Sequence, residues 1–197
     1  EAALALAMRM ARGLDNQDDE HEKLIVRIGT AVGKYWICKR TPPHAYEAME
    51  CIGGSAVMED SMMPRLYREA PVNAIWEGSG NVQCLDMLRA MARTPGSLEA
   101  LLQEVESVRG QNKLLDQHVQ NLKQELADMN DIEYRARMIV EKMALALQAS
   151  TLLHADNPQV ADAFCAARLQ PGTHQMFGTL PRGIDCRAII DRASPHQ

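Results

Sequence analysis

Apolar residues recur along this chain at helical rather than strand spacing. Ala2 to Arg12 reads as a helix, cut by Gly13 and the polar run Asp15-Asn16-Gln17-Asp18-Asp19. Leu24, Ile28, Ala31, Val32, Tyr35 and Trp36 fall on one helical face and predict a second helix. It is expected to stop before Thr41-Pro42-Pro43, because the residue ahead of a proline avoids the α region. His44 to Ile52 is predicted as a third helix that ends on Gly53-Gly54. Residues 55–78 show no period beyond one short turn, and a fourth helix is expected from about Ser79 to Ala92.

Thr94-Pro95-Gly96-Ser97 is the clearest break in the chain, with Ser97 predicted as an N-cap. Beyond it the pattern changes. Leu115, Val119, Leu122, Leu126 and Met129 alternate steps of four and three, as in a coiled-coil-like seam, and Ile132, Ala136, Ile139, Met143 and Ala146 continue it. Asn130-Asp131 is expected to fold the seam into an antiparallel helix pair, with Asp131 capping the second member. A further helix near Gln159–Leu169 ends at Pro171-Gly172, and a loop bearing Phe177, Leu180 and Ile184 leads to a short last helix. With no convincing strand alternation and no repeat, the chain reads as all-α. Two units are expected: a helical bundle over 1–94 and a helical extension over 97–197.

Composition narrows the function classes. At 197 residues the chain is long enough for a real core. Two Trp, four Tyr and two Phe against twelve Met favour helix–helix packing over a β core. A net charge of −5 gives no global sign of a nucleic-acid or membrane-surface binder. No run of eighteen apolar residues predicts a transmembrane helix. Glu1 followed by Ala and Leu lacks the basic leader of a signal peptide, and the abrupt helical opening without Met reads as part of a longer chain. The five cysteines (38, 51, 84, 165 and 186) form no C-x-x-C pair. They read as buried free thiols of a cytoplasmic protein. The six histidines lack metal-ligand spacing, so no metal site is expected.

Chemistry concentrates in residues 50–89. A Gly pair lets a backbone approach a ligand closely, and a helix start offers free N–H groups to phosphate or carbonyl oxygen. Glu77 follows Ile75-Trp76 and precedes Gly78-Ser79, a loop-to-helix step beside apolar residues. Burial there would raise its pKa toward neutrality, as suits a base that takes a proton from carbon next to a thioester. The plainer alternative is an acid that complements the helix dipole. Trp76 reads most simply as a core aromatic, and one that would also wall a substrate pocket.

Three segments carry a resemblance. They are Glu50-Cys51-Ile52-Gly53-Gly54, Pro64-Arg65-Leu66-Tyr67-Arg68-Glu69 and Trp76-Glu77-Gly78-Ser79-Gly80-Asn81. Together they resemble the C-terminal helical domain of flavin-dependent acyl-CoA dehydrogenases over residues 1–93, in its alkylation-response, AidB-type branch. The resemblance implies an oxidoreductase that takes an α-proton and a β-hydride from an acyl-CoA. Glu77 would be the base, and FAD would be held by Glu50, Gly53, Gly54, Gly78, Ser79, Gly80 and Asn81. Arg89, twelve residues after Glu77, matches a family Arg expected close to the base; the alternative is a structural cation near a helix end. Arg65 and Arg68 read as structural or subunit-contact residues. Departures weaken ordinary β-oxidation chemistry: Glu50 stands for a Gln, Ala56-Val57 for a Gly-aromatic pair, Pro64 for a Glu, and Asn81 for an acid or amide. The resemblance also implies a homo-oligomer, expected to be a tetramer when full-length, and no membrane partner.

The same branch implies a second function for the extension, contact with duplex DNA in the response to alkylation damage. Arg109, Lys113, Lys123, Arg135, Arg137 and Lys142 are the candidate contacts. Residues 97–197 hold ten Lys and Arg against thirteen Asp and Glu, however, so any such contact is expected to be local and weak. The alternative to a dehydrogenase is therefore a DNA-binding or assembly module without that activity.

Overall fold

The computed structural model describes residues 1–155, 157–172 and 176–194. Helix α1 (Ala2–Asp15) lays Leu6 and Met10 against α2 (Glu20–Ile52), whose N-terminus is capped by the Asp19 carboxylate accepting from Glu22 N–H. Within α2 the predicted face is buried at Ile28, Ala31, Val32, Tyr35 and Trp36, joined by Ile25.

The expected stop at Thr41 does not occur. Helix α2 runs through Pro42 and Pro43, so the separate helices predicted before and after them are one. Each proline removes an N–H from the ladder. A 3-10 turn (Gly54–Val57), α3 (Met63–Glu69) and a second 3-10 turn (Ala70–Ala74) pack along the flank of α2 and support the helix. Thr41 Oγ1 meanwhile donates to Ile37 O at 2.9 Å. Residues 55–78 thus carry more helical structure than the one turn expected.

Helix α4 (Gly80–Arg93) packs on α2, and a short link leads to α5 (Ser97–Glu106). Ser97 is not the N-cap. Gly96 takes that place with φ 89°, and the fully buried Ser97 hydroxyl instead donates to Ala90 O at 3.1 Å, tying α5 to the end of α4. The antiparallel pair appears as α6 (Lys113–Ala127) and α7 (Ile132–His154). Leu115, Val119 and Leu122 face Ala136, Ile139 and Met143 in one cluster, but Met129 lies past the end of α6 and is 62% exposed. Asp131 occupies the N-cap of α7 at φ 49° without a side-chain cap bond. Closure of that turn falls to Arg135, whose guanidinium donates to the carbonyls of Glu125, Asp128 and Asn130.

From Met143 to Ser150 every residue of α7 is buried, and the helix touches α1, α2, α4, α5, α6 and α8 (Pro158–Arg168). Trp36 Nε1 donates to Gln148 Oε1 at 2.9 Å inside this packing. One apolar cluster therefore runs from Leu6 to Leu169, across the Thr94–Gly96 link. Helix α9 (Cys186–Ala193), capped by Asp185, lies against α8. No strand occurs among the described residues. Of the cysteines, Cys84 and Cys165 are buried, but Cys51 and Cys186 are exposed, contrary to the expectation of five buried thiols.

Candidate functional site

The segment between α2 and α4 presents its chemistry outward. Helix α2 ends at Gly53, whose φ of 85° favours glycine. A Cβ added to Gly53 or Gly54 would meet nothing within 4 Å, so the space over this pair is open. Glu50 is exposed one turn earlier and is hydrogen-bonded to the Tyr46 hydroxyl, which pushes the Tyr46 pKa up.

The step from Ile75 to Gly80 is held from two sides. Lys34 Nζ donates to Trp76 O at 2.5 Å and Gly78 O at 2.7 Å. Gln83 Nε2 donates to Glu77 O at 3.0 Å and Gly78 O at 3.3 Å. Three successive carbonyls are thereby turned toward α2 and α4. Glu77 sits in the left-handed region at φ 53°, strained backbone for a non-glycine residue. Gly78 follows at φ 102°, where a Cβ would come within 2.5 Å of Gln83 Nε2.

The expected burial of this step is not found. Trp76 is 61% and Ile75 65% exposed, so Trp76 is no core aromatic, and the Glu77 carboxylate faces outward. The sequence reading missed Lys34 and Gln83. The one signal for Lys34 was a charge inside the apolar run from Ala31 to Trp36.

Ser79 is the N-cap of α4, and its hydroxyl makes no cap bond. A basin of about 410 Å³ opens there, lined by Lys39, Pro42, Ile75, Ser79, Asn81 and Arg137 among others. Arg137 Nε donates to Asn81 Oδ1 at 2.7 Å. Two cations and a helix N-terminus thus bound one basin, an arrangement that favours an anion. Arg89 lies elsewhere. Nine residues along α4 place it about 13 Å from Gly80, and it pairs with Asp86 at 3.2 Å, a carboxylate that Arg27 also holds at 2.8 Å. Arg68 is likewise engaged, by Glu59 at 2.7 Å.

Four of the six cations considered for DNA are already paired within the chain. Lys123 pairs with Glu106 at 2.5 Å, Arg135 and Lys142 share Glu125 at 3.0 and 3.1 Å, and Arg137 binds Asn81. Arg109 and Lys113 form no ion pair among the described residues. Within those residues there is also no group of three or more metal-ligating side chains, and no helix long and apolar enough to cross a membrane.

Residues 1–92 match the family described as acyl-CoA dehydrogenase, C-terminal domain. Putative acyl-CoA dehydrogenase AidB of Escherichia coli is 40% identical over 169 residues, 86% of this chain and 31% of that protein. The chain belongs to the acyl-CoA dehydrogenase family. Acyl-CoA dehydrogenase family member 11 of Caenorhabditis elegans is 31% identical over 87% of the chain and 27% of its own length. The crystal structure of Caenorhabditis elegans ACDH-11 in complex with C11-CoA shares the fold, with a TM-score of 0.77 and 26% identity. That match covers 97% of this chain and 37% of the other. The chain spans under a third of the length of these two relatives, 31% and 27%.

Proposed function

We propose that the chain is the C-terminal portion of an FAD-dependent acyl-CoA dehydrogenase-like flavoprotein, in which Glu77 removes the proton α to the thioester carbonyl. The observation that carries this reading is the Ile75–Gly80 step. Its backbone is pinned by Lys34 and Gln83, and it projects an exposed carboxylate from a strained residue. Strain kept by such over-determined bonding is common where a side chain must be aimed.

FAD, when bound, supplies the acceptor for the β-hydride. The residues present fit that group. The free Ser79 hydroxyl, the N–H groups at the start of α4, Lys39 and Arg137 would hold phosphate, and the open space over Gly53 and Gly54 would admit the nucleotide. Glu50, an exposed acid beside that space, opposes the cofactor's charge. The complex of Caenorhabditis elegans ACDH-11 with C11-CoA supports an acyl-CoA as substrate.

The site is completed by other parts of the protein. Met58, Met62, Val57, Ile75 and Trp76 are each at least 60% exposed around it. Apolar residues gathered in this way mark a surface that another body covers. The remainder of the longer chain, or a second copy in a homo-oligomer, would wall the pocket and bring water exclusion to Glu77.

The test is Glu77→Gln in the full-length protein. Flavin content is expected to stay unchanged while flavin reduction by acyl-CoA slows by ~10²–10⁴, the usual loss on removing one general base. An unchanged reduction rate would place the base elsewhere.

A further inference from the structure

Lys34 and Gln83 hold the Glu77 step from different bodies, and that difference decides which of them places the carboxylate. Gln83 stands on α4, the helix that the step itself opens. Its bonds to Glu77 O and Gly78 O fold the loop onto that helix and travel with it. Lys34 stands on α2, which packs against α1, α4, α5 and α7. Its neighbours Val32, Gly33, Tyr35 and Trp36 are all buried, so the root of its side chain is fixed in the bundle. Among the described residues, no other side chain outside α4 bonds to the backbone between Ile75 and Ser79.

The ammonium brackets Glu77. It takes the carbonyl before that residue, Trp76 O at 2.5 Å, and the carbonyl after it, Gly78 O at 2.7 Å. A charged donor forms hydrogen bonds roughly twice as strong as a neutral one, and both Gln83 bonds are longer, at 3.0 and 3.3 Å. Lys39 does not share the task. Its ammonium lies 5.9 Å from the Tyr35 ring and 3.4 Å from where a Gly80 Cβ would stand, beside the basin at Ser79. The backbone needs such a tie, because Glu77 at φ 53° is where an L-residue other than glycine does not settle unaided. Released, it returns to negative φ, and its Cα–Cβ bond swings to another side of the chain with the carboxylate.

We infer that Lys34 is the positioning residue of the reaction proposed at Glu77, fixing the base relative to the bundle through the carbonyls on either side of it. This inference rests on Glu77 being the base. Lys34 acts on the aim of a carboxylate and not on the grip of a ligand, so its loss is a loss of rate at unchanged binding.

The experiment is rapid-mixing reduction of the flavin in the full-length protein by decanoyl-CoA, beside hydrogen exchange read by mass spectrometry. Lys34→Met is expected to slow reduction at saturating decanoyl-CoA by ~10²-fold, with flavin content and the dissociation constant for decanoyl-CoA within about twofold of wild type. Lys34→Gln, which keeps a neutral donor, and Gln83→Leu are each expected to lose only about tenfold. Arg27→Met, which removes a cation from the same α2–α4 contact at Asp86, is expected to change nothing. The amides of Ile75 and Trp76, both bonded to Val72 O, are expected to exchange about tenfold faster in Lys34→Met while those of α7 stay as they were. If Lys34→Met fails to fold, Lys34→Gln carries both measurements. A Lys34 variant no slower than Arg27→Met, a loss confined to flavin content or decanoyl-CoA binding, or exchange unaltered at Ile75 and Trp76 overturns the inference alone. Wild-type flavin that decanoyl-CoA does not reduce, or an unslowed Glu77→Gln, removes the base and this inference together.

Discussion

Helix α7 and the 52–85 strip are both rich in apolar residues and differ in what covers them. Ile139, Met143 and Leu147 are fully buried, whereas Met62, Ile75 and Trp76 are 70%, 65% and 61% exposed. In α7 the apolar positions extend around the whole helix between Met143 and Ser150, because six other helices surround it. In the strip, the same residue classes lie on short helices backed by α2 on one side only. Stability of this chain therefore resides in the α7 packing, to which the exposed apolar residues of the strip add little. Buried area, not apolar content, separates the two regions.

That contrast has measurable edges in the stability of the 197-residue chain. Leu147→Ala should cost the most, about 3–4 kcal/mol, since a truncated core leucine loses transfer energy and leaves a cavity. Urea unfolding followed by circular dichroism reads it, and a loss below 1 kcal/mol would mean that the α7 core is loosely packed.

Arg9→Met should cost about 3 kcal/mol. Arg9 joins Glu22 at 2.7 Å and Glu104 at 2.5 Å with all three side chains no more than 13% exposed, so its removal leaves two acids without their cation. This effect depends on pH. Burial pushes Glu104 up, but hydrogen bonds and charge from Arg9 and His21 outweigh it and hold the carboxyl below its ordinary value. Its contribution is complete above the unfolded pKa of ~4.3 and is lost as pH falls through the lower folded value. The gap between wild type and Arg9→Met should thus shrink on acidification; a gap constant from pH 7 to 3 would contradict the assignment.

Ser97→Ala should cost about 1–2 kcal/mol, because the Ala90 carbonyl loses its buried donor. A clear loss for Ser97→Ala with only a few tenths of a kcal/mol for Ser97→Gly would restore the cap that the sequence suggested. Trp76→Ala should sit at the small end, within about 0.5 kcal/mol, as expected of an exposed side chain. A large loss there would erase the distinction between the two regions.

Much of the fold was legible in the order of residues. The face of α2, the α6–α7 seam up to Leu122 and the break at Asn130-Asp131 follow from apolar spacing, a local property of each helix. Pro42 and Pro43 misled, because the rule about residues before proline describes an isolated chain, while packing along the flank of α2 keeps the chain helical through both. Met129 continued the seam in number but fell beyond the last turn of α6. At the site, the Glu-Gly-Ser step was legible as a motif. Its two clamps were not, since Lys34 lies 42 residues from the carbonyl of Trp76 that it binds.

By itself the sequence determined an all-helical chain, its family, and the acid, glycines and hydroxyl placed at one helix start, because periodicity and motif are carried by neighbouring residues. Only the tertiary structure decided which way these groups face. The strained turn at Glu77 is set by Lys34 and Gln83, and four of the six candidate DNA cations are consumed by Glu106, Glu125 and Asn81. Trp36 and Gln148, 112 residues apart, meet inside the same packing. Charge pairing and exposure are properties of distance in space, and they arise only when helices far apart in the chain come into contact.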